Sequence, residues 1–413
     1  MTFEQLNLSK QILKTLDKND FVEATEIQEK VIPLVLNGSD VMGKARTSSG
    51  KTASFVLPIL EDYIKQPIAT SKKIKRKIKA LILTPTRELT IQVADVFKTF
   101  SEFLPYYPKV VTIIGGEDIS KQLIEIQKGC DIVVATSGRL IDIVDKKQIN
   151  LGEVKYFVLD EADKMLDIGF SEELDKILTI LPTKRQNLLF SATYPQKIVD
   201  ICSKITKNSI KVTIEKESKI TLDIKQRAIL VNKVERSLLL QDLIRKNSWD
   251  RVLVFMSNKR ATDNIANKFR KFGFLAQSFH GDLEQDERNL TLQEFKDKKI
   301  KILFSTDIAS RGLHIDDISC VINFDLPRGA DDYIHRIGRT GRSGKKGVAI
   351  SFLFGENLEH FKLIEKRCEL DIKKEELEKF KFTDNIQKTQ KGKAPVKGKR
   401  KSKKDKLREL NLN

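Results

Sequence analysis

Short apolar runs recur along the chain, and each ends in small, hydroxyl-bearing or charged residues. In the first half these are "DVMGKARTSSGKT", "ALILTPTREL", "DIVVATSGRL", "YFVLDEAD" and "NLLFSAT"; in the second, "RVLVFMSN", "AQSFHGD", "KILFSTDIASRG", "CVINFDLP" and "GVAISFLF". Runs that are apolar at every position, rather than at alternate ones, predict strands covered on both faces, as in parallel α/β sheets. Between the halves, "KNSIKVTIEKESKITLDIKQ" is charged and weakly periodic, which predicts a linker over 207–220. The expected organisation is one α/β unit over 1–206, a second over 221–365 and a charged extension over 366–413. Ligands of such sheets bind beyond the carboxyl ends of the strands, where every polar cluster above lies.

Two clusters carry chemistry. In "ARTSSGKT", Ala45, Arg46, Thr47, Ser48, Ser49, Gly50, Lys51 and Thr52 follow a strand and open a helix. Backbone N–H groups of such a loop wrap phosphates, Lys51 reaches the β and γ groups, and the Thr52 hydroxyl faces magnesium. An ordinary strand-to-helix turn is the alternative. The second cluster is Asp160, Glu161 and Asp163, three carboxylates where the run "YFVL" ends. Acids in a first helical turn are common, because they meet unpaired N–H groups. Beside a phosphate loop they gain a sharper reading: Asp160 holds the magnesium shell, and Glu161 orients or deprotonates the attacking water.

Composition narrows the class. The chain has 413 residues, 40% of them hydrophobic, enough for two ordinary domains with full cores. No apolar run approaches the ~20 residues of a membrane helix. "MTFEQLNLSK" has neither the basic start nor the apolar centre of a secretion signal, so a cytoplasmic protein is expected. Cys130, Cys202, Cys320 and Cys368 lie far apart with no Cys-x-x-Cys pair, which argues against a zinc site or a disulfide framework. The formal charge of +18 implies a polyanionic partner. From Lys381 to Asn413, 12 basic residues stand against 3 acidic ones, a net +9, which predicts a disordered arm on nucleic acid or a solubilising extension. The basic run "KKIKRKIK", Lys72 to Lys79, reads as a solvated loop.

With these clusters in place the sequence resembles a DEAD-box RNA helicase. Asp160 to Asp163 spell the family's name, and further signatures follow: "PTRELTIQ" from Pro85, Gly115 with Gly116, "TSGR" from Thr136, "SAT" from Ser191, "HGD" from His280, "QDER" from Gln285, "STDIASRGLHI" from Ser305 and "YIHRIGRTGR" from Tyr333. The likeness covers about residues 1 to 365, and the compact core with a basic tail is similar to bacterial RhlE-like members. It implies two tandem RecA-like domains closing on ATP, Mg2+ and single-stranded or short-duplex RNA, around a monomeric core. Arg339 and Arg342 then serve as arginine fingers, three apart and on one face if helical; Arg336 is either part of that set or a surface helix residue. Gln28 reads adenine, with Phe3 stacking on the base or, alternatively, anchoring the core. Ser191, Thr193, Asp163 and His335 couple nucleotide state to closure. Thr86, Arg87, Gly116, Thr136, Arg139, Arg288 and Thr306 match positions that contact the RNA backbone, which selects RNA without reading sequence.

Three residues depart from the family pattern. Ser48 stands where Gly is usual and constrains φ in the loop. Ser137 replaces the Pro of "TPGR" and loosens a turn. His314 stands where an Asp contacts the ribose, so weaker ATP binding is expected. Two functions from other classes remain open: an ATP-gated RNA clamp that does not unwind, and a DNA translocase, which the "DEAD", "SAT" and Gln28 set disfavours.

Overall fold

The structure, a computed structural model, describes residues 1–45, 49–65, 76–167, 169–194, 196–206, 208–214, 224–310, 318–341 and 346–384. Arg46, Thr47, Ser48, His314, Arg342, residues 72–75 of the basic run and the chain after Asp384 lie outside them. The first sheet comprises β1 (Val41–Lys44), β2 (Ala80–Leu83), β3 (Val110–Ile113), β4 (Ile132–Ala135), β5 (Tyr156–Leu159), β6 (Gln186–Ser191) and β7 (Ile210–Thr213). The second comprises β8 (Ile224–Leu230), β9 (Val252–Met256), β10 (Ala276–Phe279), β11 (Ile302–Thr306), β12 (Cys320–Asn323), β13 (Gly347–Leu353) and β14 (Lys374–Glu376). Their orders are β3-β4-β2-β5-β6-β1-β7 and β10-β11-β9-β12-β13-β8-β14, and the first has every neighbour parallel. The second is parallel throughout as well.

The unbroken apolar runs are explained by cores on both faces. In the first sheet Ala80, Ile82, Ile132, Val134 and Val158 face one core, while Leu81, Leu83, Val133, Phe157 and Leu159 face the other. In the second, Val252, Val254 and Met256 face one core, and Leu253 and Phe255 another. Phe157, Phe190 and Phe304 are fully buried, and truncating any one to Ala is expected to cost about 3–5 kcal/mol.

The structure shifts two expected boundaries. The stretch 207–220, expected as a linker, contains β7, which pairs with β1 from Val41 opposite Ile210 to Lys44 opposite Thr213. It is an edge strand with only Val212 buried, so its polar composition reflects a one-sided strand. Likewise the extension expected from residue 366 begins inside the second unit. The helix Leu358–Cys368 buries Phe361 and Ile364, β14 pairs with β8, and Phe380 joins the core. Asn232 accepts from the backbone N–H groups of Thr383 and Asp384.

Candidate functional site

The topology of the first sheet divides its carboxyl edge into two neighbourhoods. The adjacent strands β5, β6 and β1 end in Asp160, Ser191 and the loop that leads to Lys51; the adjacent strands β3, β4 and β2 end beside Gly116, Thr136 and Thr86. Nucleotide candidates collect in the first neighbourhood and RNA candidates in the second.

Gln28 holds the candidate phosphate loop at Gly50. Thr25 caps the helix Glu26–Leu36 in a capping box, placing Gln28 at the third helical position. Gln28 Oε1 accepts from Thr25 N at 2.9 Å, and Nε2 donates to Gly50 O at 3.2 Å. Gly50 has φ +90°, and a Cβ there would lie 2.4 Å from Gln28 Nε2, so glycine is required by conformation and by space. Phe3, at 3% exposure, belongs to the core. That burial is what the anchor alternative expects.

Lys51 opens the helix Lys51–Lys65 and is buried, its Nζ donating to Ala45 O at 2.5 Å. Burial lowers its pKa, opposed by the charges of Asp160 and Glu161. Ser49 Oγ is buried with no hydrogen-bond partner, and Thr52 occupies the next helical position after Lys51. Asp160, 2% exposed, accepts from Glu161 N at 3.0 Å. Burial, and then the neighbouring Glu161, push its carboxyl up to about 7. Glu161 has a left-handed φ of 53°, a strained backbone for a residue of this type. Burial alone would raise its pKa, but Lys164, with Nζ 2.7 Å from Oε1, more than offsets this and holds the carboxyl below the usual range, aided by Lys51 and Arg339. Its Oε2 is buried and lacks a hydrogen-bond partner.

The donor set fits a nucleotide-borne magnesium ion. One buried carboxylate (Asp160) and one hydroxyl (Thr52) suit an ion whose remaining ligands are phosphates and water. The described residues hold no cluster of three or more His, Cys, Asp or Glu able to cage a metal alone.

The coupling candidates converge. Asp163 Oδ2 accepts from Thr193 N and Thr193 Oγ1, both at 2.9 Å; Ser191 Oγ accepts from Asp163 N at 3.3 Å and donates to Thr193 O at 2.7 Å. The second unit closes this neighbourhood. Lys164 lines one cleft with Phe255, Asp307, His335, Arg336 and Arg339. His335 has its pKa lowered to about 4, by burial first and then by the charges of Lys164 and Arg339, so it is neutral at physiological pH. Arg336 is no surface residue: at 3% exposure it pairs with Asp307 at 2.6 Å and donates to Asn323 Oδ1 and Asp325 O. The helix Ala330–Ile337 ends before Arg339, which corrects the one-helix-face expectation; Arg339 lies in the following turn, buried.

On the RNA side, Thr86 caps the helix Arg87–Phe100 and Thr136 precedes the helix Ser137–Asp145. The Arg87 guanidinium lies over Gly116, whose φ is +77° and where a Cβ would lie 2.1 Å from the Arg87 side chain. Arg139 donates to Glu117 O at 3.0 Å, and Thr306 is buried at the end of β11. At the Ser137 departure, Thr136 is extended (φ −85°, ψ 143°) and the helix starts at Ser137. That geometry accepts proline at a first helical position. Ser137→Pro is therefore expected to stabilise the protein by about 0.4–1 kcal/mol; a lower midpoint in urea unfolding would show that the Ser137 N–H is needed.

Two residues that sequence reasoning passed over join the units. Glu88, in "PTREL", forms a buried ion pair with Arg288 at 2.5 Å, the side chains being 5% and 6% exposed. Arg87 donates to Gln285 Oε1 at 3.3 Å beside it. Removing one partner of a buried pair costs about 3–5 kcal/mol where the other charge stays buried. Glu88→Ala is expected to shift the RNA-free protein toward separated units, read by energy transfer between dyes on the two units. Unchanged transfer would deny the pair a role in closure. Lys164 is the second residue passed over, since nothing in "DEADK" signals that its ammonium turns back onto Glu161.

The DEAD/DEAH box helicase family model matches residues 25–201, and the model of the helicase conserved C-terminal domain matches residues 235–344. A probable ATP-dependent RNA helicase of Methanocaldococcus jannaschii is 42% identical over 375 residues, 91% of this chain and 98% of that one. S. cerevisiae Dbp5 bound to RNA and ADP BeF3 superposes with a TM-score of 0.79 at 28% identity, over 91% of this chain and 95% of that one. Mss116p bound to ssRNA and AMP-PNP gives 0.80 at 28% identity, over 92% and 80%. Each superposition spans both parallel sheets, so the two units are tandem RecA-like domains. With motif, fold and near full-length similarity in agreement, the chain belongs to the DEAD-box ATP-dependent RNA helicases.

Proposed function

We propose that this chain is an RNA-stimulated ATPase that opens short RNA duplexes locally, or remodels RNA–protein complexes, by closing its two domains on ATP and single-stranded RNA. The observation that carries this reading is the shared cleft, where Lys164 of the first domain, paired with Glu161, meets His335 and Arg339 of the second, and the Arg339 charge acts on Glu161. Gly50, Lys51 and Thr52 hold the phosphates, with Gln28 fixing the loop. Thr52 and Asp160 hold magnesium, which neutralises charge on the phosphates when bound. Glu161 orients the attacking water and accepts its proton through the buried, unpartnered Oε2. Arg339, joined by Arg342, meets the γ-phosphate only in the closed arrangement, so hydrolysis waits on closure. The Asp163, Ser191 and Thr193 network reports nucleotide state to His335.

RNA lies along Thr86, Arg87, Gly116, Thr136 and Arg139 of the first domain and Arg288 and Thr306 of the second. Contacts there are to phosphate and 2′-hydroxyl groups. The first domain extends through β7 to Thr213, the second from Ile224 to Asp384. No helix among the described residues is long and apolar enough to cross a membrane, which is compatible with a cytoplasmic location.

RNA and DNA of one sequence are expected to differ at least about tenfold in stimulating ATP turnover, given a site built on the 2′-hydroxyl. Equal stimulation would sink the RNA reading. Strand release from a short RNA duplex, measured in the same reaction, separates a helicase from a clamp.

A further inference from the structure

Among the described residues, Lys164 is the one from the first domain that lines the shared cleft; the rest of the lining belongs to the second. It is the third residue of the short helix Ala162–Asp167, and Glu161 stands just before that helix. Side chains three positions apart are neighbours on a helix surface, where such a pair holds its partners only weakly. This pair differs in its burial. The Lys164 and Glu161 side chains are 5% and 10% exposed, with Nζ 2.7 Å from Oε1. Nζ makes no hydrogen bond to any described residue, so the ion pair with Glu161 is what holds the ammonium in place.

The cover over Lys164 comes from the second domain. Phe255 and His335 are among the groups facing it, the first an apolar ring and the second an imidazole that burial keeps neutral. The space left between them is about 20 Å³, room for about one water molecule. Part the domains and this wall is gone, so the ammonium meets bulk water and its grip on the carboxylate weakens with the rising dielectric. Glu161 has little else to orient it. Its backbone sits at φ 53°, outside the helix, and Oε2 has no hydrogen-bond partner. We propose that Lys164 is a positioning residue for hydrolysis: the second domain, by covering it, fixes the Glu161 carboxylate through Oε1 and leaves Oε2 free for the attacking water. The inference rests on the reading of Glu161 as the group that orients this water. The step itself is balanced as before: the water oxygen bonds to the γ-phosphorus, the bond to the β–γ bridging oxygen breaks, and the water proton passes to Oε2. Closure thus acts twice, bringing Arg339 to the phosphates and aiming the base.

The test is Lys164→Met in the full-length protein, with ATP turnover measured at saturating RNA. Its kcat should fall about 10–10²-fold, the cost of a reacting group misplaced by roughly an ångström, while KM for ATP moves less than about threefold. Lys164→Arg keeps a cation within reach of Oε1 and should recover most of the loss. In Glu161→Gln there is no carboxylate to aim, so adding Lys164→Met should change the residual turnover less than about twofold. Urea unfolding of each variant shows that it is folded. Unchanged kcat in Lys164→Met would overturn the proposal, as would an Arg variant as slow as the Met variant. A rise in KM with kcat kept would place Lys164 on the nucleotide instead, and an equal loss in both backgrounds would make it a support of the fold; either outcome overturns the proposal. The underlying reading fails separately: near wild-type turnover in Glu161→Gln removes the base itself, whereas a slow Glu161→Gln beside a fast Lys164→Met keeps the base and removes only its positioning by Lys164.

Discussion

Glu161→Gln is expected to lower RNA-stimulated ATP turnover by about 10²–10⁴-fold, the range a positioned general base supplies, while ATP and RNA still bind. The backbone at Glu161 is held at φ 53°, with one carboxylate oxygen on Lys164 and the other buried without a partner. A buried oxygen without a protein hydrogen-bond partner is available to a water molecule brought in with ATP. An amide fills the same volume but cannot take the proton, so the closed complex should form and then stall. Retention of labelled RNA in the presence of ATP should therefore lengthen as turnover falls. The substitution also removes the ion-pair partner of the buried Lys164. Thermal unfolding of Glu161→Gln beside Glu161→Gln with Lys164→Met separates that cost from the chemistry: the second variant should recover stability and stay inactive. Near wild-type turnover in Glu161→Gln would remove Glu161 from the reaction.

What the sequence made legible follows from how local the signal is. The phosphate loop, the carboxylates after β5 and the residues after β2, β3 and β4 were readable because each sits at the end of an apolar run, and parallel sheets place such ends on one edge. Both cores were readable for the same reason. β7 and β14 were not, because an edge strand exposed on one side lacks the continuous apolar run of a central one. Partner choice was also hidden. Glu88 and Arg288 are 200 positions apart, and only the closed arrangement makes them a pair. Arg336 could be taken for a solvated helix residue until the structure set it against Asp307, Asn323 and Asp325 in the core of the second domain. Gln28 was identified as a site residue from its motif, yet its bond to Gly50 O depends on two segments separated by 22 positions.

Arg339→Ala carries the other large effect. An arginine finger at a transferring γ-phosphate is worth about 10³–10⁵ in turnover, because it stabilises charge that exists only in the transition state. Arg339 lies beyond the helix Ala330–Ile337, on the second domain, yet its charge acts on the Glu161 carboxylate of the first. That juxtaposition exists only when the domains are together. On the proposed reading, opening them removes the arginine from the phosphates without disturbing Lys51, which stays on the first domain. Arg339→Ala should accordingly lower RNA-stimulated turnover by at least about 10³-fold, while the affinity of the RNA-free protein for ATP changes less than about threefold, the scatter usual for a group outside the open site. Arg339→Lys should restore little, since an ammonium lacks the planar fork that grips phosphate oxygens in two places. Nucleotide affinity by equilibrium titration and turnover at saturating RNA decide the matter. Equal losses of affinity and turnover would mean that Arg339 already holds ATP before closure, and the order in which closure precedes chemistry would have to be abandoned.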